Sequence, residues 1–172
     1  MKIVYLIGIF LSSTCSALDV TFPTDCPRIR EGSLNHTFGL VRNGGTRNHQ
    51  GWDFGGNKGD RIVAISNGKI HSIGVKKNYG KYILLEAKSN AIYFFYAHLD
   101  VITVSSGDKV KKGDVIGKMG NTGNAINTPY HVHVEYRTTP WPSLGLEGRK
   151  SLFEIFEVEF HYLLRDKYPC DN

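Results

Sequence analysis

The sequence predicts a mainly β protein: an antiparallel, β-sandwich-like domain with an open groove, plus a C-terminal helix. Three observations point there. Short runs rich in Ile, Val, Leu, Tyr and Phe recur about every ten residues. Asn67-Gly68, Asn78-Tyr79-Gly80 and Ser89-Asn90 break these runs as turns. No interval between them is long enough for the crossover helix that parallel strands require. The 172 residues suit a single domain. A content of 41% hydrophobic and 22% charged residues fits a packed core and excludes a disordered tail or a coiled coil.

The chain opens with Lys2, an apolar stretch from Ile3 to Leu11, and small residues from Ser12 to Ala17. Basic start, short apolar centre and small-residue end predict a secretory signal over 1–17, cleaved after Ala17. The apolar centre is shorter than the ~20 residues of a membrane span. The mature chain, 18–172, would retain Cys26 and Cys170. An even pair in an exported chain suggests a disulfide joining its two ends.

From Cys26 to about Asn48 the chain reads as irregular, with Gly32, Gly39, Gly44 and Gly45. Strands are expected over 61–66, 69–75, 81–87, 92–98, 101–104, 115–119 and 131–136. The stretch 150–167 is ambiguous. Leu152, Phe156, Phe160 and Leu163 fit a helical face, while Phe156, Val158 and Phe160 alternate as in a strand. The unbroken run up to Pro169 favours a helix packed on the sheet. The formal charge of +5 favours an anionic partner but does not by itself argue for nucleic acid.

The chemistry lies in the histidines. In the strand His131-Val132-His133-Val134-Glu135, residues two apart share a face, with backbones roughly 6.6 Å apart. Val132 and Val134 would face the core, and His131 and His133 a groove. His49 and Asp53 also share one side of an extended chain, but roughly 13 Å apart. Both can reach one ion only if the chain curls, which Gly51 permits. Two neutral imidazoles and a carboxylate suit zinc, with one coordination position left for water. Zinc lowers the pKa of such a water toward ~7, and a further His can move a proton near neutral pH. Spacing leaves open which of His131 and His133 binds the metal. His36, His71 and His161 read as structural or surface residues.

Taken together and in order, these signals resemble the lysostaphin/LytM-type zinc metallo-endopeptidases. His49-Gln50-Gly51-Trp52-Asp53 matches the family's first motif, with Phe38-Gly39 and Arg42 upstream. Tyr96-Ala97-His98-Leu99 matches its central motif. Asn121-Thr122-Gly123 and His131-Val132-His133 match the final loop and strand. The resemblance covers about 38–137. It implies one zinc per chain on His49, Asp53 and His133, with His98 and His131 flanking the attacking water and the scissile carbonyl as catalytic groups. It implies a monomeric, periplasmic or secreted hydrolase of peptidoglycan peptide bonds, with no nucleic-acid partner and no membrane span after leader removal. The alternative is an inactive relative that binds or regulates a partner; all five positions are filled here, which favours activity. Tyr130 departs from the family's pattern and is expected to alter the groove wall.

Overall fold

The computed structural model describes residues 18–156 except Asn90. The expected signal sequence and Cys170 lie outside these residues. Twelve strands are described: β1 (Gly39–Arg42), β2 (Arg47–His49), β3 (Trp52–Gly55), β4 (Arg61–Val63), β5 (Gly68–Lys76), β6 (Gly80–Ala87), β7 (Tyr93–Leu99), β8 (Val101–Ile102), β9 (Lys109–Val110), β10 (Val115–Lys118), β11 (His131–Arg137) and β12 (Arg149–Lys150). Every strand pair is antiparallel. A seven-stranded sheet runs β12-β11-β7-β6-β5-β9, with β3 also paired to β11. A three-stranded sheet, β4-β10-β8, and the β1-β2 hairpin complete the fold.

The central strands show why the large sheet holds together. Ile83, Leu84 and Leu85 on β6 are fully buried, as are Phe94, Phe95, Tyr96 and Ala97 on β7. Such unbroken apolar runs mark strands covered on both faces. One face joins Trp52, Phe54, Ile62, Ile116, Val132 and Val134 in the main core. The other buries Tyr82, Leu84, Phe95 and Ala97 in a smaller cluster. On β11, Val132 and Val134 pack into the main core while His131, His133 and Glu135 point the opposite way.

Two regions depart from the expectations. The segment before Asn48, read as irregular, contains the β1-β2 hairpin, turned at Asn43-Gly44-Gly45. The expected C-terminal helix is described only as far as Phe156. There the chain forms β12 and one 3-10 turn, Leu152–Glu154, capped by the Ser151 hydroxyl accepting from Phe153 N. Pairing of Arg149 and Lys150 with β11 holds this stretch extended. Leu152 and Phe156 still enter the core. The remainder lies outside the described residues.

Candidate metal and active site

The site forms where β2, β3, β7 and β11 meet. His49 ends β2, and Asp53 lies in β3 directly opposite His133 on β11. Between His49 and Asp53 the chain bends at Gln50-Gly51. Gly51 is needed there for closeness: a Cβ would lie 2.2 Å from the Val134 carbonyl oxygen. His49 Nε2 is 3.1 Å from Asp53 Oδ1 and 3.1 Å from His133 Nδ1, and the third side, His133 Nδ1 to Asp53 Oδ1, is 2.8 Å. Tetrahedral zinc, with bonds of ~2.0–2.1 Å, places its ligand atoms ~3.3 Å apart. The buried triangle of two nitrogens and one oxygen therefore fits that ion in size and donor type.

The surrounding hydrogen bonds decide which atom each ring presents. His49 donates Nδ1–H to the Thr37 carbonyl at 2.8 Å, which turns Nε2 inward. His133 is reversed: Nδ1 faces the triangle and Nε2 meets Glu135 Oε1 at 3.2 Å. Glu135 is fully buried and is held by Arg137 Nε at 2.8 Å and Arg149 Nε at 2.5 Å. A carboxylate behind a ligating His fixes its tautomer and raises its basicity. Asp53 is steered in the same way. Arg42 Nη2 at 2.7 Å and His36 Nδ1 at 3.1 Å both donate to Oδ2, leaving Oδ1 to the triangle.

His98 and His131 stand beside this group, with ring centroids 5.0 Å apart, and His98 is 6.0 Å from His133. Each donates Nδ1–H to a backbone carbonyl: His98 to Thr122 at 2.9 Å and His131 to Pro129 at 2.8 Å. Carbonyls only accept, so both rings keep Nε2 as a lone-pair nitrogen. His98 sits in a bulge of β7, where the register against β6 shifts between Lys81 and Ile83. Its φ is +64°, a left-handed conformation costly for a residue with a Cβ. His98 N–H to Tyr79 O (2.8 Å) and Thr122 N–H to His98 O (3.4 Å) hold it there. Thr122 is in turn positioned by a close approach of glycines: a Cβ on Gly80 would lie 2.2 Å from Thr122 Oγ1.

Electrostatics follow the same division. Burial, with the nearby His133 and His131 charges, pushes the His98 pKa down to about 3. Burial pushes His131 down to about 4, against the pull of Asp53. Burial also works against the His133 cation, but hydrogen bonds to Asp53 and Glu135 outweigh it and raise the pKa to about 9. Burial opposes the Glu135 charge, yet His133 and Arg137 bring its pKa down to about 2. Asp53 is held well below the carboxylate range, because bonds from His133, His36 and His49 exceed its burial penalty.

All five residues singled out from the sequence line one cavity of about 810 Å³. Arg30, Arg42 and Arg47 lie on its wall, with Gln50, Tyr79, Asn124, Leu144 and Gly145 among the other lining residues. Three contacts were not read from the sequence. His36, taken as structural or surface, touches Asp53 because the 3-10 turn Leu34–His36 carries it there. Glu135 was legible as the next residue on the His131/His133 face. Arg149 gave no local signal, since only β12 pairing brings it near. Tyr130, expected on the groove wall, does not line the cavity; it is 37% exposed.

The chain is 34% identical over 109 residues to the murein hydrolase activator NlpD of Escherichia coli (strain K12), covering 62% of this chain and 27% of that protein. It is 41% identical over 98 residues to the glycyl-glycine endopeptidase ALE-1 of Staphylococcus capitis, covering 56% of this chain and 26% of that protein. The chain thus spans about a quarter of the length of these curated relatives. The catalytic domain of the antimicrobial peptidase lysostaphin from Staphylococcus simulans superposes with a TM-score of 0.57 at 32% identity, covering 69% of this chain and 84% of that one. The family model for Peptidase family M23 matches residues 47–143, more than half of the sequence, and the chain belongs to that family.

Proposed function

We propose that this protein is a zinc-dependent endopeptidase that hydrolyses peptide bonds in peptidoglycan stems or crosslinks. The observation that carries the reading is the convergence of five side chains: a zinc-sized triangle flanked by two neutral imidazoles. His49 Nε2, Asp53 Oδ1 and His133 Nδ1 would hold the ion. When bound, zinc would supply a Lewis acid that polarises the scissile carbonyl and acidifies the attacking water.

The chain's own groups do the rest. His98 and His131 are kept neutral at physiological pH and offer Nε2 lone pairs to the cavity. One ring accepts the proton that water loses as its oxygen bonds the carbonyl carbon. That proton then passes to the amide nitrogen as the C–N bond breaks and the amine leaves. The partner ring, with Nε2 likewise unprotonated, accepts a hydrogen bond from the attacking water and helps to orient it. Burial shields both rings from bulk water, so neither is charged before substrate arrives.

The second reading is a non-catalytic regulator of wall hydrolases, favoured by the similarity to a protein named murein hydrolase activator. Incubating the zinc-loaded chain with purified sacculi separates the two. Release of peptide-cleaved muropeptides, stopped by a chelator, supports the enzyme; release only when a second hydrolase is added supports the activator.

We extend the proposal to the chain's organisation: a signal over 1–17, a single domain over 18–172, export to a periplasm or medium, and a Cys26–Cys170 disulfide. No helix among the described residues is long and apolar enough to cross a membrane. Non-reducing peptide mapping of the exported protein tests the leader and the disulfide together. Two free thiols, or a mature start far from Leu18, would overturn them.

A further inference from the structure

Two of the three residues that would hold the ion are addressed by one short turn, which precedes the family-matched stretch. The 3-10 turn Leu34–His36 brings the His36 ring to Asp53, with Nδ1 3.1 Å from Oδ2. The next residue, Thr37, offers its carbonyl to His49 Nδ1–H at 2.8 Å. The turn is fixed from both ends. Ser33 Oγ accepts from Asn35 N–H at 3.3 Å, and Thr37 donates both its N–H and its Oγ1–H to the Leu34 carbonyl. Arg42 braces it from β1: Nε donates to the Asn35 carbonyl at 3.2 Å, while Nη2 donates to Asp53 Oδ2 at 2.7 Å.

His36 is itself held. Its Nε2 lies 3.5 Å from Glu31 Oε2, and Glu31 Oε1 accepts from Arg30 Nη2 at 3.2 Å. Glu31 has a φ of +54°, a left-handed conformation that is costly for a residue with a Cβ and persists only where its surroundings impose it. The contacts Glu31–His36–Asp53 end on Oδ2, the oxygen turned away from the triangle.

An oxygen of an ionised carboxylate has two lone-pair positions. At Oδ2 Arg42 takes one and His36 the other, which leaves Asp53 with Oδ1 alone to give to an ion. A carboxylate can bind a metal through one oxygen or through both. The two-oxygen mode would fill the position that a catalytic zinc keeps for water.

We propose that His36 is a positioning residue: with Arg42 it occupies Asp53 Oδ2, holds the carboxylate to one-oxygen ligation, and so keeps one coordination position open. Arg42 alone covers one lone pair and leaves the other free to turn to the ion. The inference rests on the zinc site of the proposed function, not on which bond is cut.

The test replaces zinc by cobalt(II) in the full chain, because four-coordinate cobalt absorbs visible light far more strongly than five-coordinate cobalt. His36→Phe keeps a planar ring and removes the donor; His36→Asn puts an amide N–H in the place of Nδ1. The parent and His36→Asn should show the intense bands. His36→Phe should keep about one cobalt per chain and lose most of this absorbance. Loaded with zinc, it should cleave a crosslinked peptide with kcat about 10–100-fold lower and KM little changed. If His36→Phe does not fold, His36→Ala is read by the same criteria. Intense bands in the donor-free variant overturn the proposal, because Asp53 then stays on one oxygen without His36. Simple loss of metal from that variant, or weak bands in His36→Asn, also overturns it, leaving His36 a merely structural part of the turn. Intense bands in a parent that cleaves no sacculi remove the endopeptidase and leave the His36 comparison standing. A parent that takes up no cobalt removes both.

Discussion

Asp53 and His133 face each other across adjacent antiparallel strands, with Oδ1 and Nδ1 2.8 Å apart. Eighty residues of sequence separate them, yet one register places both at the candidate metal triangle. A slip of one residue would turn His133 into the core and bring Val132 or Val134 to the site. The main core and the candidate zinc site therefore specify the same register.

Asp53→Asn and His133→Ala should each lower zinc affinity by more than ~100-fold, beyond the usual cost of losing an outer-shell partner. Metal analysis after dialysis should find about one zinc per chain in the parent and almost none in these variants. Glu135→Gln should fall between them, since it removes only the charge behind His133.

His98→Ala should leave zinc bound and reduce turnover by ~10²–10⁴, the range for loss of a general acid–base group. Steady-state cleavage of a synthetic crosslinked peptide, beside metal analysis, gives both readouts. Loss of zinc in this variant would remove His98 from its assigned role.

Zinc binding should release protons. Without metal, the facing nitrogens of His49 and His133 leave room for a single hydrogen, and the His133 pKa of about 9 keeps it there at neutral pH. The ion must displace it, so affinity should climb with pH up to about 9 and level off. Calorimetry at pH 7.5 in buffers of different ionisation enthalpy should count about one proton released per chain. A buffer-independent heat would contradict the protonated state assigned to His133.

Acid should destabilise the metal-free protein early. His98 and His131 have folded pKa values of about 3 and about 4, below the ordinary 6.5 of the unfolded chain. Below pH 6.5 the unfolded state binds protons that the folded state refuses, so stability falls as pH drops toward 4. Each group contributes a slope of up to ~1.4 kcal/mol per pH unit. His133 acts in the opposite sense: its raised pKa adds stability below pH 6.5 that is lost as pH rises through about 9. Urea midpoints with chelator, measured from pH 4 to 10, should trace both limbs. Replacing His98 by Gln should flatten the acid limb.

Gly80→Ala should cost more activity than stability alone explains. The added Cβ meets Thr122 Oγ1 at 2.2 Å, and φ is +63°. Thr122 must shift, and its carbonyl is the acceptor that orients His98. Overpacking at ~1–3 kcal/mol is expected from urea unfolding, with a larger fall in kcat than in zinc content.

Much of the site was legible because it depends on short-range geometry. The His131-Val132-His133 alternation shows directly which side chains share a face. The Gln50-Gly51 bend between His49 and Asp53 was foreseen, although Gly51 serves close packing against Val134 O rather than backbone freedom. The β1-β2 hairpin was missed because its strands are short and half-exposed: Leu40 is 57% exposed, so no apolar alternation marks them. The His36–Asp53 and Arg149–Glu135 contacts were missed for another reason. Each depends on where a distant segment docks, and no local pattern encodes that.

Arg149 and Thr37 both lie outside the matched stretch 47–143, yet one anchors the carboxylate behind His133 and the other orients His49. A truncation trimmed to the matched stretch would strand a buried anion on one guanidinium and free the His49 ring to rotate. The smallest autonomous unit of this protein is therefore wider at both ends than its most recognisable portion, and recombinant fragments should be bounded accordingly.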